Sequence, residues 1–207
     1  GASTPSRVLT EEYDGSSWTN GGALTTARIA PGNAGTQTAG LAFGGSGGGK
    51  ISATEEYNGS SWTNGGSLPT GTSGIAGAGT QTAGLGFGGY TTTFAVATYE
   101  YDGSSWTAGG SMTTGRSKLG GTGTQTSGLA FGGTVSGGGR TAATEQYDGS
   151  SWAAAASMST LRNNSPGGAG DTSAGLAFGG RTPSTDATTA TEEFSGAGPT
   201  TVTLSGS

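Results

Sequence analysis

The fold of this chain is decided by the stretch Glu12-Tyr13-Asp14-Gly15-Ser16-Ser17-Trp18, which returns three times along the 207 residues. The later copies occupy residues 56–62, 100–106 and 146–152, so the four tryptophans are spaced by 44, 44 and 46 residues. A second block, residues 35–45, alternates with the first and ends each time in Phe-Gly-Gly. Self-similarity at a fixed period of this length indicates an array of repeated supersecondary units.

The bulk composition by itself is typical of a disordered chain. Gly, Ser and Thr fill 108 of the 207 positions, which leaves few large apolar residues for a core. Charge repulsion does not explain such a composition, because charged residues are 10% and the net charge is −5. Aromatic residues that recur at one phase of a repeat serve as packing anchors, so we expect a folded array.

Several classes of chemistry are excluded or disfavoured by what the sequence lacks. It has no Cys and no His, which excludes disulfides, Cys-ligated metals and catalysis by Ser–His or Cys–His pairs. We expect no catalytic constellation, no metal and no cofactor, and hence no enzyme. A pI near 4.5 argues against nucleic acid as a partner, and no signal peptide or membrane-length apolar run is visible.

Each period contains signals for four short strands, here named a to d. Strand a begins near Ile29, strand b ends at Phe43, strand c ends at Tyr57 and strand d begins near Trp62. Gly-Gly follows strand b, and Asn-Gly-Ser-Ser joins strands c and d as a hairpin turn. Four antiparallel strands per period predict an all-β fold, a β-propeller of four-stranded blades.

We predict a single domain over residues 1–207. Its repeats lie near residues 21–64, 65–108, 109–154 and 155–204, and a half-blade precedes them at residues 7–20.

The repeat resembles the kelch family. Gly44-Gly45 closes strand b, Tyr57 lies in strand c and Trp62 lies in strand d. An Arg follows the Trp at a short distance, as Arg28 follows Trp18. The segment at residues 68–72 departs from this pattern because it lacks the Arg. The chain also resembles the near-identical kelch-type arrays of bacteriophage tail-fibre and structural proteins, which implies a virion or extracellular surface location.

The sequence permits two modes of ring closure. We favour four blades closed by the N-terminal strands, in which the hairpin around Tyr13 and Trp18 completes the blade that begins near Phe178. The alternative is five blades, one of them incomplete. Thr191 to Leu204 is then the true c–d pair, and the N-terminal hairpin is half of a fifth blade or is offered to another chain.

In such a blade the b–c and d–a connections emerge together on one face, which we name the variable face. These connections differ in length and sequence between repeats, whereas the turns of the opposite face are nearly constant. Every basic residue falls in or beside them: Arg7, Arg28, Lys50, Arg116, Lys118, Arg140, Arg162 and Arg181. Because loops on a rigid scaffold commonly carry function, we expect recognition on this face.

The candidate ligand-binding residues are six. Three are repeated arginines, one is a neighbouring lysine and two are aromatic residues found in a single loop: Arg28, Arg116, Arg162, Lys118, Tyr90 and Phe94. A ring of guanidinium groups would suit phosphate, sulfate or carboxylate. The structural alternative is that each Arg pairs with a strand-c Glu of a nearby blade, and that the tryptophans wedge between blades.

The function these features favour is a non-enzymatic recognition or attachment module. Its expected partner is an anionic or neutral surface glycan, or another protein, but not nucleic acid or a membrane. The alternative is a purely structural propeller, a virion scaffold or a designed symmetric protein, that self-associates by stacking its basic face on its acidic face.

Overall fold

The computed structural model describes residues 7–184, 187–196 and 199–200. Within these ranges the chain is all-β, apart from one turn of 3-10 helix at Ser136–Gly138. No helix in this part of the chain has the length and apolar character needed to cross a membrane.

Four antiparallel four-stranded sheets follow one another along the chain as the blades of a β-propeller. The first blade contains β3 (Gly32–Thr36), β4 (Ala39–Phe43), β5 (Thr54–Tyr57) and β6 (Trp62–Gly65). The second contains β7 (Ala76–Gly79), β8 (Gly84–Phe87), β9 (Thr98–Tyr101) and β10 (Trp106–Ala108). The third contains β11 (Gly120–Thr124), β12 (Ser127–Phe131), β13 (Thr144–Tyr147) and β14 (Trp152–Ala155). The fourth contains β15 (Gly167–Gly170), β16 (Gly175–Phe178), β17 (Thr191–Phe194) and β18 (Pro199–Thr200).

The inner strands are rich in glycine because they lie close together around the axis. Contacts link β3 to β7, β7 to β11 and β11 to β15. A Cβ atom added to Gly77 would lie 2.7 Å from Cζ of Phe43 and closer still to the carbonyl oxygen of Asn33. Side chains larger than hydrogen therefore do not fit there, which gives the high glycine content a structural reason.

The core lies between successive blades, where aromatic side chains of one sheet pack on the next. Phe43 of the first blade contacts Trp106 of the second at a ring-centroid distance of 4.8 Å. Phe87 of the second blade contacts Trp152 of the third at 4.9 Å. These four rings are buried, so a few large residues per blade replace the branched apolar residues that the sequence lacks.

The prediction of an all-β propeller with four four-stranded blades is confirmed, but the predicted closure by the N-terminal strands is wrong. β17 pairs with β16 and β18 pairs with β17, so the fourth sheet is completed by the two strands that follow β16 in the chain. The reason is visible in the sequence of β17, Thr-Glu-Glu-Phe, which repeats the strand-c pattern Thr-Glu-Glu-Tyr of β5 and pairs locally in the same register. Residues 201–204 of the alternative c–d pair lie outside the described residues.

The N-terminal hairpin forms a two-stranded sheet of its own, β1 (Glu11–Tyr13) with β2 (Trp18–Asn20). It packs against the outer half of the first blade, where Nε1 of Trp62 donates to Oγ1 of Thr10 at 2.9 Å. Among the described residues no contact comparable to those between consecutive inner strands joins β15 to β3. The hairpin therefore occupies the place of the outer half of a blade that precedes the first.

Candidate functional site on the variable face

The loops of the variable face share one backbone frame. In the first three blades the b–c connection forms two successive bridges, one to the preceding d–a connection and one within itself. The residue pairs joined by the inner bridge are Ser46–Lys50, Tyr90–Phe94 and Thr134–Arg140. Equivalent positions thus carry a hydroxyl and a cation in the first and third blades, and two aromatic rings in the second.

Tyr90 and Phe94 form a compact aromatic pair at the surface. Their ring centroids lie 5.3 Å apart with the planes at 69°, an edge-to-face arrangement. Nζ of Lys50, from the neighbouring loop, lies 5.2 Å from the centroid of the Tyr90 ring. Tyr90 is 37% exposed, so the pair presents aromatic surface beside a positive charge.

The aromatic pair separates two cavities. A cavity of about 650 Å³ lies over the ring of blades, and a second of about 580 Å³ lies outside it against the third blade. Tyr90 and Phe94 line both cavities. Most other lining side chains carry hydroxyl groups: Ser46, Ser73, Ser117, Thr134 and Ser165 over the ring, and Thr92, Thr93, Thr113, Thr114 and Ser136 outside it.

Lys118 borders the larger cavity and is held there by a hydrogen-bonded chain of d–a loops. The amide of Gly74 donates to the carbonyl of Ala30, that of Lys118 to Gly74, and that of Ser165 to Lys118. Lys118 has a φ of 53°, in the left-handed region where a side chain is uncommon. The exposed ammonium therefore sits on a backbone that three neighbouring loops position.

The three repeated arginines lie in the interior of the blades. Each guanidinium is 0% exposed and pairs with a strand-c glutamate of its own blade. The pairs are Arg28–Glu55 at 2.5 Å, Arg116–Glu145 at 2.8 Å and Arg162–Glu192 at 2.6 Å. Nη1 of each Arg also donates to two backbone carbonyls, which for Arg116 are those of Gly132 and Ala143.

The electrostatics of these pairs follow from burial and hydrogen bonding. Burial acts to raise the pKa of Glu55, but hydrogen bonds from Thr25, Arg28 and Thr26 outweigh it and hold this pKa below its ordinary value. Burial lowers the pKa of Arg116, and the charge of Glu145 opposes that shift. The glutamate also fixes the d–a loop, since Oε2 of Glu55 accepts from the amide and hydroxyl of Thr25.

The second blade replaces both members of the pair. Thr72 stands where the other blades have Arg, since its carbonyl accepts from Gly45 as the carbonyl of Arg116 accepts from Gly89. Tyr99 stands where they have Glu, opposite Gly86 in the register of β8 and β9. A change of both positions together identifies the Arg–Glu pair as one structural unit.

The c–d turns of the opposite face carry Asp102 in the second blade and Asp148 in the third, with Asn58 at this position in the first. In the turn between β9 and β10, Oδ1 of Asp102 accepts from the amides of Ser105 and Ser104 and from the Ser104 hydroxyl. These bonds lower the pKa of Asp102 to about 2, and the pKa of Asp148 is lowered to about 2 in the same way. These carboxylates stay ionised at the turns, whereas the exposed Lys50 and Lys118 lie on the variable face, and the buried Arg28, Arg116 and Arg162 add no exposed charge to it.

Of the six residues predicted to bind a ligand, the structure brings Tyr90, Phe94 and Lys118 to one cavity. It places Arg28, Arg116 and Arg162 in buried ion pairs, which favours the structural alternative for them; the partner glutamate belongs to the same blade rather than to a neighbouring one. Sequence reasoning missed Lys50 and the hydroxyl residues. Aligning residues 45–50 with residues 89–94 would have found Lys50, because the two loops have equal length.

No group of three or more Asp and Glu side chains that could hold a metal ion occurs within the described part of the chain. Neither the protein-family models nor the curated proteins with which the chain was compared match its sequence.

Proposed function

We propose that this propeller is a non-enzymatic recognition module that binds surface glycans through its variable face. The observation that carries the proposal is the Tyr90–Phe94 pair, which stands between two hydroxyl-lined cavities. It is the one place in the first three b–c loops where the repeat is replaced by aromatic side chains at the surface.

The chemistry of the face suits a sugar. The apolar face of a pyranose ring stacks on an aromatic ring, and serine and threonine hydroxyls both donate to and accept from sugar hydroxyls. Lys118 and Lys50 add positive charge at the edge of the pair, which favours glycans that carry a carboxylate or a sulfate. The resemblance to kelch-type phage arrays agrees with a role in attachment at a virion or extracellular surface.

An array of sialylated, sulfated and neutral oligosaccharides tests the proposal. We expect the wild type to bind a subset of anionic glycans, and we expect the Tyr90→Ser/Phe94→Lys variant to lose that binding. This variant imports the residues of the first blade's loop, which has the same length, so the fold is retained. Thr134→Ala/Arg140→Ala, at the equivalent positions of the third blade, is the control. Binding that survives Tyr90→Ser/Phe94→Lys would contradict the proposal, and so would binding that the control variant loses equally.

A structural role is the second candidate, and the exposed aromatic residues at the two ends of the blade series favour it. Trp18 and Phe178 remain uncovered although their counterparts in the middle of the chain are buried. A blank glycan array together with self-association would favour this role.

A further inference from the structure

Two hydrogen bonds repeat at the contacts between successive outer strand pairs. Nε1 of a strand-d Trp donates to a strand-c Thr of the preceding unit, as in Trp62–Thr10, Trp106–Thr54 and Trp152–Thr98. A strand-c Tyr hydroxyl donates to a strand-c Glu of the preceding unit, as in Tyr57–Glu12, Tyr101–Glu56 and Tyr147–Glu100. Each unit therefore presents donors on one flank and acceptors on the other.

At the contact between the third and fourth blades the chain has changed the donor and the acceptor of the Tyr–Glu pair together. The fourth blade has Phe194 at the position of the Tyr, and the third blade has Gln146 at the position of the Glu. Nε2 of Gln146 instead donates to the carbonyl of Thr172. The Glu acceptor is thus not kept where its Tyr donor is absent. The Thr acceptor is kept, as Thr144, although Pro199 stands at the position of the Trp.

The fourth blade nevertheless keeps both acceptors on its outer flank. Thr191 and Glu193 occupy the positions of Thr54 and Glu56, and neither side chain has a hydrogen-bond partner among the described residues. Beside them Phe178 is 43% exposed, whereas the equivalent Phe43, Phe87 and Phe131 are buried. Gly179 has open space where Gly132 meets the next d–a loop.

The matching donors are also on the chain, at its other end. Tyr13 and Trp18 of the N-terminal hairpin occupy the donor positions, in the register that Tyr57 and Trp62 share. They are 47% and 66% exposed. The Tyr13 hydroxyl donates to the carbonyl of Gly15 in its own turn at 2.9 Å, and the Trp18 indole has no hydrogen-bond partner within the described part of the structure. The two uncovered flanks are therefore complementary residue by residue.

We propose that the N-terminal hairpin of one copy packs on the fourth blade of a second copy. Trp18 then packs against Phe178 with tilted rings, as Trp106 packs against Phe43, and donates to Thr191. Tyr13 exchanges its bond to the Gly15 carbonyl for one to Glu193. The occupant is a second copy because the described residues of one copy leave both flanks uncovered, and because the contact continues the interface that already joins the units. Such a contact is head-to-tail, so it leaves one free flank at each end and allows growth beyond a dimer.

This inference does not depend on the proposed function, because neither flank includes Tyr90, Phe94 or Lys118. Trp18→Ala disables only the donor flank, and Phe178→Asp disables only the acceptor flank. Both residues are exposed, so the fold is retained, which far-UV circular dichroism checks. Val96→Asp alters an apolar side chain of similar exposure, 40%, away from both flanks and serves as control.

Sedimentation velocity and native mass spectrometry over a concentration series give the test. The wild type and Val96→Asp should reach at least twice the monomer mass as concentration rises, and each flank variant alone should stay monomeric. A mixture of the two flank variants should form a heterodimer and nothing larger, because only one productive contact remains. The proposal is overturned if the wild type stays monomeric. A monomer whose Trp18 is shielded from acrylamide quenching would show that the hairpin closes on the fourth blade of its own copy, which also overturns the proposal. It is also overturned if either variant associates alone, or if the mixture does not pair.

Discussion

The second and third blades are built on the same strand order, and their most informative differences lie at two interior positions and in one surface loop. The third blade buries Arg116 against Glu145, and the second has Thr72 and Tyr99 at the equivalent places. On the variable face the third blade carries Thr134 and Arg140 where the second carries the Tyr90–Phe94 pair.

The comparison distinguishes residues that stabilise the blade, such as the buried Arg–Glu pair, from residues that are candidates for binding a ligand, such as Tyr90 and Phe94. The interior positions change as a pair, which is expected when two side chains serve each other and no ligand. The Tyr90–Phe94 substitutions lie at the surface beside two cavities, so they require no compensating substitution inside the blade. Regular charge placement in a repeat is therefore weak evidence for a binding site, and a departure from the repeat at the surface is stronger evidence.

The largest effect is expected from breaking the buried pair of the third blade. Glu145→Ala leaves the Arg116 guanidinium buried without a counter-charge, which should lower the free energy of unfolding by about 3–5 kcal/mol. Urea denaturation measures this change. Glu11→Ala, which removes an exposed strand-c carboxylate, should stay within about 0.5 kcal/mol of the wild type. Equal effects of the two substitutions would show that the buried pair has no special role.

A smaller loss is expected from crowding the inner strands. A methyl group at Gly77 would meet Phe43 and the backbone of Asn33, so Gly77→Ala should cost about 1–3 kcal/mol. The matched control is Gly49→Ala in the first b–c loop, where an added Cβ meets no atom within 4 Å. Thermal unfolding of both variants tests whether glycine is required at the axis and is dispensable in the loop. A stable Gly77→Ala variant would contradict the close packing.

The contact between the second and third blades gives a pH-dependent prediction. Burial and the bond to Glu100 raise the pKa of Tyr147 to about 12, from an ordinary value near 10. Between these values the unfolded chain loses the proton first, so stability should fall as the pH rises from about 10 to about 12. Tyr147→Phe should weaken that fall and cost about 1 kcal/mol at neutral pH. Urea midpoints across this pH range test it, and an unchanged slope would contradict the assignment.

The smallest effect is expected at the acidic turns. Hydrogen bonds from Ser151 and Ser150 lower the pKa of Asp148 to about 2, below its unfolded value near 3.8. The stabilisation is present above the unfolded pKa and is lost as the pH falls through about 2. Asp148→Asn should keep the turn, since Asn58 already makes the same bonds in the first blade, and should flatten the acid side of the stability profile slightly. A profile identical to that of the wild type would argue against this contribution.

Much of the architecture could be predicted from the sequence, because the Trp spacing and the Gly-Gly and Asp-Gly punctuation repeat faithfully. The closure could not, since β17 lacks the Trp-bearing turn that marks the other c–d pairs and its pairing depends on local register. For the arginines the sequence indicated a Glu partner but not that it lies in the same blade, a distance set by how strands b and c fold back. Tyr90 and Phe94 were identified as departures from the repeat, whereas Lys50 reaches Tyr90 only through the packing of adjacent loops.

Thr72 and Tyr99 occupy in the second blade the two positions that the buried Arg–Glu pair occupies in the others, and the Arg116→Thr/Glu145→Tyr variant tests most directly whether these positions act together. The measurement is its free energy of unfolding in urea, beside those of the two single variants. The double variant replaces Arg and Glu by Thr and Tyr, so the total side-chain volume changes little. We therefore predict that its loss in free energy of unfolding is smaller than the sum of the two single losses by at least about 1 kcal/mol. A loss equal to that sum would contradict the claim that the two positions act as one structural unit.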